Sequence, residues 1–329
     1  MRASWNASRF HADDSLGIYE SYFQRANHPS RPLAFWIRYT VFSPRAHPEQ
    51  ARGELWAIYF DGEAGLISAA KQTVPIADCD FARTRLDVRI GRATLDDRAL
   101  TGRAAAPAHA LEWTLAYDGD EPPLLLLPEP YYERALPRAK ALVGTPNALY
   151  TGALSVDGKQ IAIDGWRGSQ NHNWGRRHTD RYAWAQVAGF DNAPETFLGC
   201  CTARIKLGPL WSPRMSLLVL RDEGQEIALN GLLQSVRATG NVDFFTWRID
   251  TGNAQVRIHG RIHAPAGAFV GLTYDNPPGG SKTCLNSKLA SAEIVVERPG
   301  KPTRTLLTRH RAAFEILTDR TDHGVPIVV

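Results

Sequence analysis

Alternation of side chains with a period of two runs through most of this chain, and it constrains the fold more than any other feature. In the segment PLAFWIRYTVF, Leu33, Phe35 and Ile37 fall on one side of an extended chain. Trp36 and Arg38 fall on the other side, and the segment is rich in the aromatic and β-branched residues that favour strands. Further strands are predicted near residues 53–62, 85–92, 110–117, 148–156, 159–164, 181–190, 196–206, 214–220, 226–236, 243–250, 254–263, 267–274, 289–297 and 303–317.

Turn signals separate these segments at short intervals. The pair Asp157-Gly158, for example, has the sequence of a tight hairpin turn, which joins antiparallel neighbours. The one candidate helix of any length is EPYYERALPRAKALV, and Pro137 interrupts it. So many strands with almost no crossover helices exclude a doubly wound parallel sheet and favour antiparallel sandwiches or closed barrels.

The length of the chain favours two such units. Its 329 residues exceed the usual size of a single hydrophobic core, and the number of predicted strands suits two barrels better than one. We predict a boundary between residues 165 and 182, because a boundary there divides the chain into near-equal halves.

Composition and motifs exclude several classes of function. The formal net charge is only +4 and no basic stripe is visible, which argues against a nucleic-acid partner. No run approaches the ~18 apolar residues of a membrane helix. The segment MRASWNASRFHADD lacks the pattern of a signal peptide, so a cytoplasmic location is expected. No P-loop, G-x-S-x-G or dinucleotide-binding motif occurs, so kinase, hydrolase and dinucleotide functions have no support.

Neither the cysteines nor the histidines predict a metal site. The four cysteines are Cys79, Cys200, Cys201 and Cys284. They form no C-x-x-C pair, so we expect buried, reduced thiols. A zinc site built from His172 and His178 would lack both helical i, i+4 spacing and an accompanying set of ligands.

The stretch GSQNHNWG, residues 168–175, is the most unusual in the chain. Three amides, an imidazole and an indole follow one another without an aliphatic side chain. If the stretch is extended, Gln170, His172 and Trp174 project from the same side. Because an indole is poorly placed on an open loop, we expect another part of the protein to cover it.

The next predicted strand, RYAWAQVAGF, places Tyr182, Trp184 and Gln186 on one face. The two sets of side chains could line a cavity with an aromatic wall, neutral hydrogen-bonding groups and one group that titrates near neutral pH. Such a wall suits an apolar ligand oriented by one polar end, and an indole face stabilises a carbocation by about 0.5–2 kcal/mol. The alternatives are that His172 is a core histidine bonded to a backbone carbonyl and that the tryptophans only fill the core.

The block NHNWG, followed by RYAWAQ and TARIKLG, resembles the centre of the tocopherol cyclase and carotenoid 1,2-hydratase (hydroxyneurosporene synthase) superfamily, which includes AttH-like lipocalin-type proteins. The segments YESYFQRANHPSRPLAFWIRYTVFSP and TYDNPPGGSKTCLNSKLASAEIVVE are similar to its N-terminal and C-terminal parts. The resemblance implies an all-β fold of two lipocalin-like (calycin) antiparallel β-barrels packed together, with few short helices. The N-terminal barrel would span residues 1–175 and the C-terminal barrel residues 176–329, with the ligand cavity near their junction.

The same resemblance implies a chemistry. Members act on lipophilic isoprenoid or polyketide-like molecules, often by protonating an alkene and letting water or an internal hydroxyl trap the cation, without a redox cofactor. The His-x-Trp motif of the hydratases matches His172 and Trp174, whereas their later Tyr-x-Asp motif has no match downstream. The carboxylate partner of His172 therefore has no assigned position, and Asp191 and Asp275 are candidates only by elimination.

Together these features predict a cofactor-independent cyclase, hydratase or isomerase that binds an isoprenoid- or polyketide-like molecule at the domain junction. The predicted catalytic residues are His172, Trp174 and Tyr182. The predicted ligand-binding residues are Gln170, Asn173, Trp184, Gln186, Trp36 and Arg38. No metal, other cofactor or nucleic acid is expected. The alternative is a non-catalytic lipocalin-type carrier of a lipophilic ligand, and the sequence leaves the substrate and the oligomeric state open.

Overall fold

Twelve strands from the first half of the chain form one antiparallel sheet in the computed structural model, which describes residues 2–329, with side chains from residue 4 onward. They are β1 (Ile18–Asn27), β2 (Leu33–Ser43), β3 (Arg52–Asp61), β4 (Leu66–Pro75), β5 (Cys79–Phe81), β6 (Asp87–Ile90), β7 (Ala93–Asp96), β8 (Ala99–Ala105), β9 (Ala110–Asp118), β10 (Leu124–Leu125), β11 (Ala139–Val156) and β12 (Lys159–Gly175). Their order is β4-β3-β2-β1-β12-β11-β9-β8-β7-β6-β5, and β10 pairs with β11. The sheet curls into a nearly closed barrel.

The second half of the chain forms a ten-stranded antiparallel sheet and a separate two-stranded one. The strands are β13 (Arg181–Phe190), β14 (Ala193–Arg204), β15 (Lys206–Leu207), β16 (Leu210–Trp211), β17 (Met215–Asp222), β18 (Gln225–Leu229), β19 (Thr239–Asp243), β20 (Thr246–Gly252), β21 (Arg257–His263), β22 (Val270–Asp275), β23 (Ser281–Glu297) and β24 (Arg304–Thr318). The ten-stranded sheet has the order β18-β17-β14-β13-β24-β23-β21-β20-β19, with β22 paired to β23, and β15 pairs with β16.

Helical structure in residues 2–329 is short. It consists of α1 (Arg2–Trp5), α2 (Leu232–Arg237) and single 3-10 turns at Pro48–Gln50, Ile76–Asp78, Glu129–Tyr131 and Ala266–Ala268. No helix in this part of the chain is long and apolar enough to cross a membrane. The predicted all-β fold of two lipocalin-like antiparallel barrels with few short helices is confirmed.

Alternation along the strands fills the two barrel interiors. In β9, Leu111, Trp113 and Leu115 are buried in the first core, and the residues between them face solvent. The second core is separate and contains Trp247 and Phe314. Each half of the chain therefore buries its own apolar face.

The barrels touch through the outer faces of their sheets. Every residue of β2 is buried, because one of its faces lines the first core and the other packs against the second sheet. At this junction Trp36 and Trp56 belong to one apolar cluster with Leu272, Tyr274 and Leu317. Because β2 is covered on both sides, both of its faces are apolar in the sequence.

The predicted hairpin turn at Asp157-Gly158 is confirmed, and both residues have positive φ, as a tight turn of this kind requires. The prediction of a helix in EPYYERALPRAKALV is wrong: only the turn Glu129–Tyr131 is helical, and β11 begins at Ala139. Pro137 disfavours helix in the residue before it. The residues from Ala139 onward form a strand because they pair with β12.

The division into domains of residues 1–175 and 176–329 stays a prediction. We propose that the boundary lies between β12, which ends at Gly175, and β13, which begins at Arg181. At this point the chain leaves the twelve-stranded sheet and enters the ten-stranded sheet.

Candidate functional site

The two faces of β1 and β12 lead to different environments. In the antiparallel register, Tyr22 lies opposite His172 and Phe23 lies opposite Asn171. Tyr22 belongs to the core of the first barrel, whereas Phe23 packs edge-on against Trp184 of the second sheet, with ring centroids 5.9 Å apart. Since neighbouring side chains point to opposite faces, His172 faces the first barrel and Asn171 faces the junction.

Inside the first barrel, His172 forms a buried pair with Glu20. Its Nε2 lies 2.8 Å from Oε1 of Glu20, and neither side chain is exposed. Its Nδ1 lies 3.0 Å from the backbone carbonyl of Trp5, so this nitrogen carries a hydrogen and donates it. One proton must also lie between Nε2 and Oε1, because two unprotonated atoms at that distance would repel each other.

Four further groups donate to the Glu20 carboxylate. They are Ser8 Oγ at 2.7 Å, the backbone N–H of Arg9 at 2.9 Å, the backbone N–H of Phe10 at 3.1 Å and the hydroxyl of Tyr22 at 3.3 Å. Burial raises the pKa of Glu20, but the hydrogen bond from His172, the charge of His172 and the hydrogen bonds from Ser8 and the backbone of Arg9 together hold the pKa below its ordinary value. The donors therefore stabilise the negative charge on Glu20 in a pair that shares one proton with His172.

Aromatic rings complete this interior site. His172 stacks on Tyr22 with ring centroids 4.3 Å apart, and the Trp174 ring lies 4.6 Å away on its own strand. The guanidinium of Arg9 lies 4.4 Å from the centroid of Trp174, within range of a cation–π interaction. His172 and Trp174 thus lean the same way, as predicted, but into the first barrel and not into the junction.

The chain segment at residues 5–10 covers the interior site. Asn6 Nδ2 donates to Oε1 of Gln170 at 2.8 Å, and Asn6 is buried. Phe10 packs against the core of the barrel, and Trp5 lies in the same apolar cluster as Trp174. The hydrogen-bonding atoms of His172, Glu20 and Gln170 are all paired.

A second buried acid–base pair lies at the junction. Nζ of Lys288 on β23 lies 2.9 Å from Oε1 of Glu315 on β24. Asn286 Nδ2 donates to the same oxygen at 3.2 Å, and the hydroxyl of Tyr182 donates to Oε2 at 3.4 Å. Three strands of the second sheet thus direct one carboxylate, one ammonium group and one phenol towards the first sheet.

Two indoles flank the ammonium group of Lys288. Its Nζ lies 5.7 Å from the ring centroid of Trp36 on β2 and 5.9 Å from that of Trp184 on β13. Burial lowers the pKa of Lys288, against the opposing effect of Glu315. Burial is also the largest cause that raises the pKa of Tyr182, so its hydroxyl stays protonated.

Part of the junction is accessible. Whereas Lys288 and Trp36 are buried, five nearby side chains are only partly buried. They are Phe23, Asn173, Tyr182, Trp184 and Cys201. Trp36 Nε1 and Asn173 Oδ1 have no hydrogen-bond partner among the described atoms. We refer to the surface that these five side chains form as the junction crevice.

Arg38 lies beside the junction crevice, opposite Phe23 in the pairing of β1 and β2. It is 4% exposed, and its guanidinium carbon lies 4.5 Å from the ring centroid of Tyr274 and 5.7 Å from that of Trp56. One nitrogen donates to Ser21 Oγ at 2.6 Å. Its Nε has no partner, and Arg38 forms no ion pair with the side chains that the structure describes.

A small cavity of about 10 Å³ borders Arg38, enough space for one water molecule. His178 lines it, stacks on Tyr19 at 3.8 Å, and lies 3.1 Å by its Nε2 from the Asp275 carbonyl. Burial, followed by the charge of Arg38, lowers the pKa of His178 to about 3. His178 is therefore neutral near pH 7, and its Nε2–H donates to that carbonyl.

The nine predicted site residues fall into two groups. His172, Trp174 and Gln170 lie in the first barrel. The others face the junction: Asn173, Tyr182, Trp184, Gln186, Trp36 and Arg38. Gln186 donates to Asn171 Oδ1 at 2.7 Å across the two sheets. The structure therefore does not bring the predicted catalytic residues His172 and Tyr182 together.

Sequence reasoning missed the carboxylates of both pairs. Neither Asp191 nor Asp275 contacts His172: Asp191 pairs with Arg311 and Asp275 with Arg52. The sequence contains a signal for Glu315, which is the single charged residue in the apolar run AAFEIL. Such a residue in a two-sided buried strand needs a partner, and here the partner is Lys288.

His172 and His178, considered as zinc ligands, lie in separate networks, and both nitrogens of His172 are engaged. All four cysteines are free thiols, of which Cys200 and Cys284 are buried and Cys79 and Cys201 partly buried. A surface groove of about 480 Å³ lies elsewhere, along residues 298–306. It contains none of the predicted site residues.

Comparison with known proteins relates the chain to others of the same architecture. No family model matches it. It is 24% identical over 305 residues to uncharacterized proteins from two strains of Mycobacterium tuberculosis, a match that covers 90% of this chain and 86% of each relative.

Three solved structures share the fold. An AttH protein of Nitrosomonas europaea has a TM-score of 0.61 at 14% identity and covers 96% of this chain and 95% of its own. Kievitone hydratase of Nectria haematococca has a TM-score of 0.56 at 10% identity, with 92% and 88% covered. CghA with Sch210972 has a TM-score of 0.56 at 11% identity, with 93% and 89% covered. At these identities the likeness establishes the fold alone.

Proposed function

We propose that this protein binds a hydrophobic small molecule in the junction crevice and carries out cofactor-independent acid–base chemistry on it, as a hydratase, cyclase or isomerase. The observation that carries the proposal is the Lys288–Glu315 pair, buried between two indoles and connected to the partly exposed crevice by the hydroxyl of Tyr182. Kievitone hydratase, which has the same fold, adds weight to hydration.

The walls of the crevice suit a substrate that develops positive charge. Phe23 and Trp184 offer partly exposed aromatic surface to an apolar ligand. The ring of Trp184 is partly exposed and can stabilise a carbocation in the crevice by a cation–π interaction. Such a contact contributes about 0.5–2 kcal/mol, which is about two- to thirtyfold in rate.

The junction pair supplies a proton donor and an acceptor. Tyr182, protonated and hydrogen-bonded to Glu315, would donate a proton to the substrate, and the proton released when water or an internal hydroxyl captures the cation would return to Tyr182 through Glu315. Lys288 would stay paired with Glu315 and stabilise its negative charge during this exchange. Glu315 thus takes the carboxylate role that the missing Tyr-x-Asp motif leaves open, and His172 stays a predicted catalytic residue whose position is separate from this crevice.

The test is incubation of the purified protein with an apolar extract of its source cells, followed by chromatography and mass spectrometry. We expect a product heavier by one water, or one of equal mass with a new retention time. Glu315→Gln and Tyr182→Phe should reduce product formation at least a hundredfold, while Glu293→Gln, at an exposed position on β23, should have no effect. Recovery of an unaltered bound lipid would instead identify the protein as a carrier, and full turnover in both variants would contradict the proposed roles.

A further inference from the structure

Buried positive charge exceeds buried negative charge at the junction. Arg25, Arg38 and Lys288 are all at least nine-tenths buried there, whereas Glu315 is bound to Lys288 and the buried Glu54 to Arg52 and Lys71. Arg25 donates to the side chain of Asn27 and to a backbone carbonyl, but its Nε and Nη2 have no partner in the described part of the chain. An uncompensated buried charge is costly, so an arrangement of this kind indicates a missing anion.

Part of this excess positive charge lies at Arg38. Two carboxylates also line the small cavity beside it, but Glu54 lies 3.0 Å from Arg52 and 3.4 Å from Lys71, and Asp275 pairs with the same Arg52. These four groups balance one another, which leaves the guanidinium of Arg38 as the unpaired charge of the cavity. Its neighbour His178 is neutral near pH 7 and does not add to the charge.

The arginines that follow β12, by contrast, have carboxylate partners. Arg177 lies 2.6 Å from Asp180, and Arg181 lies 2.7 Å from Asp319. Arg38 instead lies among the rings of Trp36, Trp56 and Tyr274. These rings orient the guanidinium group by cation–π interactions but supply no full negative charge. The aromatic packing positions the guanidinium and leaves an N–H group free for a ligand oxygen.

We propose that Arg38 binds the carboxylate of the ligand, so that the substrate class is a lipophilic carboxylic acid. A carboxylate fits the planar donor pattern of a guanidinium, and one of its oxygens would occupy the water-sized cavity beside Arg38. The apolar chain of the acid would then lie in the junction crevice, which begins at Phe23, the neighbour of Arg38 on β1. This inference rests on the proposed function, because it assigns one end of the same ligand.

The test compares two probes of equal chain length, decanoate and decanol, by isothermal titration calorimetry with the full chain. We expect decanoate to bind at least tenfold more tightly than decanol to the unmodified protein. In Arg38→Met the preference should disappear while the affinity for decanol changes less than twofold. Arg85→Met, which removes an exposed arginine paired with Asp87, is the matched control and should keep the preference.

Two further measurements accompany the binding assay: the melting temperature of Arg38→Met and the decanoate affinity of Arg38→Lys. Arg38→Met should fold and melt at the same or a higher temperature without ligand, because it replaces an uncompensated buried charge with an apolar side chain of similar length. Arg38→Lys keeps the charge but not the paired N–H groups, and we expect it to bind decanoate three- to tenfold more weakly with decanol unchanged. Unchanged decanoate affinity in Arg38→Lys would count against a guanidinium-specific site.

The outcomes separate this inference from the proposed function. Equal affinity of the unmodified protein for decanoate and decanol, or a preference that survives Arg38→Met, would overturn the carboxylate assignment and leave the crevice as a site for apolar ligands. Binding of neither probe would contradict the crevice itself, and the proposed function would fail with it.

Discussion

The molecule contains two buried acid–base pairs, and they differ in how completely the side chains around them are paired and buried. Glu20 and His172 lie inside the first barrel, where Trp5, Ser8 and the backbone of the covering segment occupy their remaining hydrogen-bonding positions. Lys288 and Glu315 lie between the sheets, beside side chains that are partly exposed and polar atoms that have no partner.

This difference separates a polar site that stabilises the fold from one that can accept a ligand. A fully paired buried network contributes to stability and specifies one arrangement of the chain. Unpaired polar atoms cost stability, and they are retained where a bound group completes them. On this criterion the junction is the candidate binding site, although the sequence motif His-x-Trp lies in the first barrel.

The largest expected effect is at the first pair. Glu20→Ala leaves His172 without its partner and frees the hydroxyl of Ser8 and two backbone N–H groups. We expect the free energy of unfolding to fall by about 3–5 kcal/mol, measured by urea denaturation. Glu112→Ala, at an exposed position on β9, is the control and should behave like the unmodified protein. A loss below about 1 kcal/mol would show that this pair does not stabilise the fold.

The second prediction uses the acid dependence of stability at the junction. His178 has its pKa lowered to about 3 in the folded protein, by burial and then by Arg38, against an ordinary value of 6.5. Between these values the unfolded chain binds more protons, so stability is complete above pH 6.5 and falls as the pH decreases towards 3. At pH 4.5 we expect a loss of about 2–3 kcal/mol relative to pH 7 from this residue.

The variant His178→Gln should remove this part of the pH dependence. Urea unfolding of both proteins at pH 7, 5.5 and 4.5 measures the difference, and the two curves should converge as the pH falls. Parallel curves would mean that His178 gains its proton at the same pH in the folded and unfolded states, which would add charge beside Arg38 at acid pH and weaken the contrast between the two regions.

Much of the fold could be predicted because it depends on a local pattern. The alternation in β9, with Leu111, Trp113 and Leu115 buried, is visible in the sequence and is preserved in the barrel. The segment around Pro137 could not be predicted in the same way, because its strand forms by pairing with a distant partner, β12. Such pairing overrides local helical propensity.

The candidate site depends on contacts that the sequence does not encode locally. The side of the strand shared by His172 and Trp174 follows from period two, but which environment that side faces depends on the closure of the barrel. Glu20 is 152 residues from His172 along the chain, and Lys288 reaches Trp36 only because two sheets pack together. Tertiary packing thus decides which polar residues meet.

A smaller effect tests the covering segment itself. Ser8→Ala removes the 2.7 Å hydrogen bond to Glu20 and leaves the backbone donors in place. Because the acceptor is charged, we expect a loss of about 1.5–2 kcal/mol in the free energy of unfolding. Ser15→Ala, at an exposed position, serves as the control. If the two variants are equally stable, residues 5–10 do not hold the interior pair closed.

The smallest expected effect on stability comes from neutralising the junction pair. The double variant Lys288→Met with Glu315→Gln removes both charges and keeps side chains of similar size, including an acceptor for Tyr182 and Asn286. Replacing both members of a buried ion pair is often neutral or stabilising, so we expect a change within about 1 kcal/mol together with loss of the proposed turnover. The equivalent change at the first pair, Glu20→Gln with His172→Phe, should cost more because it loses the negative charge to which the covering segment donates. A loss of 3 kcal/mol or more in the junction variant would make the two pairs equivalent, and the distinction between a stabilising site and a binding site would then have to rest on accessibility alone.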